Sequence, residues 1–285
     1  MRRTYCLFAV ALTACGPGSA ADLSSTEVEG WESFRASVHQ EAWEGGKFIV
    51  DGDIALADED ALFQYYLDYL DQERAVEGFG VSKKSLLVDR VGGADNIQTW
   101  GRRYQMTYCV STSFGTRYDQ VVTTMAAAAR SWADQVGVDL LHDASQDTNC
   151  TASNNNVYFD VNPVTDTYFA RAFFPNDGRS ARNVLITSSA FTTTSGGRDF
   201  EGILRHELGH TLGFRHEHIR LANPCTTEAN TNNRALTVYD EQSVMHYPQC
   251  RTPAGGGYRQ TELDYDGARS LYGTAPALIL TSAIL

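Results

Sequence analysis

The sequence predicts a mixed α/β fold of the α+β kind, and three observations lead there. Apolar residues recur every three or four positions from Val121 to Val136, a second stripe runs through Phe200, Leu204, Leu208 and Leu212, and β-rich runs stand around them. With 285 residues and 42% hydrophobic content the chain can bury a sizeable core, which excludes a wholly disordered polymer.

The elements follow in order. Arg2 and Arg3 precede an apolar run from Tyr5 to Ala14 that is too short to span a bilayer, the pattern of an export signal over residues 1–20. Leu12-Thr13-Ala14-Cys15 resembles a bacterial lipoprotein box, with cleavage before Cys15 and a lipid on its thiol; ordinary signal cleavage near Ala20 is the alternative. Ala61, Leu62, Tyr65, Tyr66, Tyr69 and Leu70 have helical spacing, so the acidic segment 21–95 is expected to be partly folded. Lys83-Lys84, Arg90 and Gly92-Gly93 mark residues 78–93 as a linker and processing site. Arg103–Thr112 reads as a strand, Val121–Val136 as a helix stopped by Gly137, and 157–161, 168–174 and 184–187 as further strands.

Charge narrows the partners. The net charge is -12, with 17 acids and 6 bases between residues 16 and 95 but 18 acids and 15 bases after them. No basic stripe tracks phosphates, so nucleic acid is excluded as a partner. Once Cys6 and Cys15 are assigned to the signal, Cys109, Cys150, Cys225 and Cys250 remain, an even number that outside the cytoplasm suggests two disulfides. The favoured pairing is Cys109 with Cys150 and Cys225 with Cys250, one pair on each side of the motif described next; buried free thiols are the alternative.

That motif is Arg205-His206-Glu207-Leu208-Gly209-His210-Thr211-Leu212-Gly213-Phe214-Arg215-His216-Glu217. Asp199 can cap a helix whose leucine stripe faces the core, and His206 and His210, four apart, share another face with the reach to bind one metal ion. Gly213 can end the helix and turn the chain so that His216 returns as a third ligand. Three neutral imidazoles leave zinc an open position and bring the pKa of its water towards ~7, and Glu207, rotated off the ligand face, is placed to take the water's proton. HExxH arises by chance in roughly one chain of this length in a hundred, HExxHxxGxxH in on the order of one in fifty thousand.

At these residues the chain resembles the metzincins, zinc endopeptidases with a twisted mixed sheet, an active-site helix, a Met-turn and a carboxy-terminal helix. Ser243-Val244-Met245-His246-Tyr247 is similar to the Met-turn. The resemblance implies that Met245 floors the zinc ligands and that Tyr247, as in astacin-like enzymes, is a fifth ligand at rest and then a donor to the oxyanion. Glu217, with Phe214 before and Arg220 after, resembles the astacin form, whereas Leu221-Ala222-Asn223-Pro224 departs from it; the leader and motif together look closest to the bacterial dual-action HEIGH metallopeptidases. Ala170–Pro175 resembles the edge strand that pairs with an extended substrate, and Asp264–Gly273 the closing helix of a catalytic domain over residues 96–273. His218 and His246 are read as non-ligands.

Phe48-Ile49-Val50-Asp51-Gly52-Asp53-Ile54 is similar to the astacin pro-segment motif, which makes Asp53 a zinc ligand of the latent form; a Gly-Asp turn between strands is the alternative. The whole implies an exported bacterial enzyme acting as a monomer on protein or peptide substrates, tied to a membrane only if Cys15 carries a lipid. A binding protein on an inactive scaffold and a zinc hydrolase of a non-peptide bond are the rivals. Calcium at Asp139, Asp143 and Asp147 has only undiagnostic spacing to support it, and the apolar tail 274–285 has no assigned role.

Overall fold

The stripe of Val121, Met125, Ala129 and Trp132 needs an apolar surface to lie against, and in the computed structural model it shares one core with a five-stranded sheet. The structure describes residues 25–43, 45–76, 86–220, 225, 228, 230–252 and 257–276. The signal with Cys15, the Lys83-Lys84 pair, residues 221–224 and most of the apolar tail lie outside them.

Contacts divide the chain into residues 1–37 and 38–285. The first unit contributes one described element, helix α1 (Ser25–Ser37). The second opens with β1 (His39–Gln40), β2 (Phe48–Val50), β3 (Ile54–Leu56) and helix α2 (Glu59–Val76). The three strands pair antiparallel in that order. The turn between β2 and β3 is tight: Asp51 has φ 55° and Gly52 φ 99°, left-handed values that aspartate tolerates and glycine favours.

Next come β4 (Leu87–Val91), β5 (Ala94–Asp95), β6 (Met106–Val110), α3 (Tyr118–Ala133), β7 (Leu140–His142), β8 (Phe159–Val164), β9 (Ala170–Arg171) and β10 (Asn183–Thr187). The chain continues through α4 (Phe200–Thr211), β11 (Phe214–Arg215), β12 (Asn233–Ala235) and α5 (Glu262–Tyr272). The large sheet has the order β7-β6-β8-β10-β9, parallel throughout except for β9, which runs antiparallel along the edge of β10. Its inward residues, among them Met106, Tyr108, Phe159, Val161, Val184 and Ile186, meet α3 and the leucines of α4. This is the mixed sheet expected of a metzincin catalytic domain. Among the described residues no helix is long and apolar enough to cross a membrane.

Three local expectations differ. The strand expected from Arg103 begins at Met106, because Arg102–Tyr104 form a 3₁₀ turn in which the buried Arg103 donates to the Tyr272 carbonyl at 2.5 Å. Of residues 168–174 only Ala170 and Arg171 pair, with Ile186 and Leu185. The linker assigned to 78–93 contains the middle strand of a second sheet: β4 pairs with β5, β11 and β12. Gly92 and Gly93, at φ 58° and 82°, form the two-residue hairpin turn between β4 and β5, so the glycines mark a reversal within a sheet. The boundary drawn at 95/96 falls at the end of β5.

Candidate metal centre

Helix α4 starts where Asp199 caps it, its Oδ1 accepting from the Gly202 N–H at 2.6 Å. Leu204, Leu208 and Leu212 are fully buried in the core, and the rings of His206 and His210 stand edge to face with centroids 4.9 Å apart. The chain leaves the helix at Gly213, at φ 92°, where a Cβ would collide with the carbonyl oxygen of Asn96. Only glycine fits both demands, and the turn sends β11 back so that His216 joins the other two imidazoles.

Each ring is oriented through its outer nitrogen. His206 Nδ1 lies 2.7 Å from the Val244 carbonyl and His210 Nδ1 2.8 Å from that of Phe214. A carbonyl only accepts, so both Nδ1 atoms carry the proton and both Nε2 atoms are left as lone-pair donors. His216 Nδ1 faces carboxylates instead, Glu228 Oε2 at 2.6 Å and Asp51 Oδ2 at 3.1 Å. Its Nε2 lies 3.2 Å from that of His206.

Into this convergence the turn between β2 and β3 inserts Asp53. Its Oδ2 is 3.2 Å from His206 Nε2, and its Oδ1 is 3.1 Å from His216 Nε2 and 3.8 Å from His210 Nε2. One ligand atom from each of the four residues lies within 4.8 Å of the others. His210 Nε2 and Asp53 Oδ1 are buried without a hydrogen-bond partner, as is Glu207 Oε2. Three imidazole nitrogens and a carboxylate, with orphaned lone pairs aimed at one point, fit a divalent zinc ion in donor type and number.

Charge follows the same geometry. Burial, then the Asp53 charge, pushes the Glu207 carboxyl well above the usual carboxylate range. Burial holds His210 down at about 3, so its ring is neutral. At His216 burial is outweighed by Asp53, Glu228 and Asp51, which hold it well above an ordinary histidine. Asp53 in turn is held well below its ordinary value, its burial offset by His216 and His206.

The Met-turn residues lie directly against these groups. Met245 is fully buried under α4, where a Cβ on Gly209 would strike its sulfur. Tyr247 donates its hydroxyl to the Asp51 carbonyl at 2.6 Å. Glu217 accepts from Arg220 Nη1 at 3.0 Å and from the Asp240 N–H at 3.1 Å, and burial raises it to about 8. His218 pairs with Asp51 at 3.3 Å and His246 with the Tyr239 hydroxyl at 2.8 Å, both away from the convergent nitrogens. A cavity of about 210 Å³ opens beside Glu207 and Asp53, walled by Tyr247, Tyr258, Arg198 and Phe169 among others.

Sequence reasoning missed the supports. Glu228 and Asp51 hold His216, and Asp264 pins the Met-turn, its Oδ1 accepting from the Ser243 hydroxyl at 2.6 Å and its Oδ2 from the Val244 N–H at 2.8 Å. The same Asp264 closes a capping box with Thr261, a helix-start signal that could have singled it out. Disulfides join Cys109 to Cys150 and Cys225 to Cys250. Asp147 accepts from the Val110 N–H at 2.8 Å, the Tyr118 hydroxyl and His142, an internal hub that leaves little of its carboxylate for calcium.

The chain matches the profile of the Matrixin family over residues 99–247, 149 of its 285 positions, a span that holds the whole convergence except Asp53. It is 28% identical over 139 residues to Matrix metalloproteinase-A of Caenorhabditis elegans, a match covering 43% of this chain and 27% of that protein. The matched stretch thus spans about a quarter of the relative's own length. Among solved structures it is similar to High choriolytic enzyme 1, a hatching enzyme zinc-protease from Oryzias latipes (Medaka fish), at 19% identity and a TM-score of 0.40, over 62% of this chain and 98% of that one.

Proposed function

The chain belongs to the Matrixin family, and from that premise we propose that it is a zinc-dependent endopeptidase made as a latent precursor and acting, as a monomer, outside the cytoplasm. The observation that carries the reading is the convergence of three imidazole Nε2 atoms beside the buried Glu207 carboxylate. His206, His210 and His216 would hold the ion. Zinc supplies Lewis acidity, which polarises a peptide carbonyl and brings water's pKa down towards ~7.

The protein's own groups do the rest. Glu207 takes a proton from the attacking water and returns it to the departing amine. Burial and then the Asp53 charge hold its carboxyl up, so withdrawal of Asp53 favours the ionised form that can accept a proton. Tyr247, freed from the Asp51 carbonyl, can aim its hydroxyl at the developing oxyanion or at the metal. Met245 and Asp264 hold the floor of the site, and Glu217 braces the chain just beyond His216.

Latency is supported by Asp53, whose oxygens take the space a fourth ligand would need. The pairing of β4 with β11 supports a leader that ends within residues 77–85, upstream of the boundary read at 95. Casein digestion by the zinc-loaded, processed chain tests the activity. It should vanish with Glu207→Ala and with a chelator; a zinc-loaded protein that cuts no peptide bond would return the choice to the two rivals. Asp53→Ala in the full chain should digest casein before processing, and a variant as silent as the parent would end the latency reading.

A further inference from the structure

Glu41, in the leader, is buried without being part of the metal centre. Its side chain is fully enclosed, and it accepts from Arg171 Nε at 2.5 Å, Arg171 Nη2 at 3.0 Å and the Tyr168 hydroxyl at 2.7 Å. The Lys47 N–H adds a fourth bond from within the leader, at 2.9 Å. The first three donors all come from β9 and the residues leading into it, the edge of the large sheet. They form a carboxylate receptor: a bidentate guanidinium fork and a phenol converging on one anionic group.

The Arg171 guanidinium has a partner besides Glu41. Arg171 Nη1 donates to Asn183 Oδ1 at 2.6 Å, which fixes the guanidinium against β10. Asp160, a carboxylate on the neighbouring strand β8, is taken by Arg179 at 2.6 Å. Once the leader leaves, Arg171 loses the carboxylate with which it forms its ion pair among the described residues, while Asp166 and Asp177 lose their leader partners His39 and Lys47. Ile49 of the leader packs on Tyr168 and Leu185 beside it, so the leader follows β9 between the receptor and Asp53. An extended peptide adding to the same free edge would run past the same donors.

We propose that Arg171 and Tyr168 form a subsite for an acidic side chain of the substrate, which Glu41 fills in the precursor. The proposal rests on the peptidase reading above and names its substrate class: peptides with glutamate or aspartate at the position lying over Arg171. Loss of a charge-assisted bidentate pair in a closed site changes affinity by about tenfold or more.

Two arms test it. In the first, Glu, Gln or Lys is walked through each position of an acetylated, amidated fluorogenic peptide, so that only a side chain can supply the carboxylate. The processed, zinc-loaded chain should prefer Glu over Gln at one position by about tenfold in kcat/KM. That ratio should fall to near one in Arg171→Gln and be partly kept in Arg171→Lys, which retains the charge without the fork. Equal ratios in the parent and Arg171→Gln overturn the subsite while casein digestion leaves the peptidase reading standing. In the second arm the unprocessed Glu41→Ala chain should unfold at a lower temperature than the parent and recover in propionate but not in propionamide. Absence of recovery also overturns the receptor, even if no peptide is cut.

Discussion

The Glu228 carboxylate stands 2.6 Å from His216 Nδ1, on the side of the ring away from Asp53, and also takes Arg215 Nε at 2.7 Å. It fixes the ring and strengthens its metal-facing nitrogen as a donor. Glu228→Gln keeps the shape and removes the charge. Zinc affinity, read by competition with a chromogenic chelator, is expected to fall by about 10–100-fold; equal affinity would show the carboxylate to be a bystander.

Gly209 lies where α4 crosses the Met-turn, and a Cβ there would strike the Met245 sulfur. Gly209→Ala gains helix propensity yet should lower stability in urea titrations by about 1–3 kcal/mol, because overpacking outweighs the backbone gain. Met245→Ala in the same chain should relieve part of that strain. Additive losses would argue against the contact.

Asp199 caps α4 through Gly202 N–H and also pairs with the exposed Arg259. Asp199→Ala should cost about 1 kcal/mol in thermal or urea unfolding, while Asp199→Asn, which keeps a cap acceptor, should cost less. The exposed ion pair contributes little beside the cap. Equal losses from the two substitutions would reverse that ranking.

His246 sets a pH dependence. Burial holds it at about 3, against 6.5 for an ordinary histidine, with its Nδ1 donating to the Tyr247 carbonyl at 3.0 Å. The unfolded chain takes up the proton that the folded one refuses. The stability this contributes is therefore full above pH 6.5 and lost as pH falls towards about 3. In that window the parent's stability should drop faster than that of His246→Gln, by at most about 1.4 kcal/mol per pH unit. Parallel curves would show that His246 is not the group.

What the sequence revealed is what short-range spacing can encode. His206 and His210 are one helical turn apart, Asp199 sits just before the helix, and Gly213 just after it, so local geometry alone brings two imidazoles together and turns the chain toward the third. Glu228 and Glu41 act across folds of the chain, as single acids with no periodic signal around them, whereas Asp264 carries only the capping-box signal of its own helix. The expectation at Asp53 rests only on a resemblance, since nothing in its own neighbourhood distinguishes a ligand from a turn. The strand Leu87–Val91 was hidden for the opposite reason: Gly92-Gly93 gives a strong local signal, but a hairpin and a linker share it.

On the latency reading proposed above, the tether between Asp53 and the body decides how activation ends. While the chain is continuous, Asp53 and Glu41 meet their partners at an effective concentration of the order of millimolar, at which individually weak contacts would keep the site closed. A single cut between them and β4 turns the leader into a separate molecule. It must then compete at its bulk concentration, and dilution into the surrounding medium makes the opening one-way without any further chemistry.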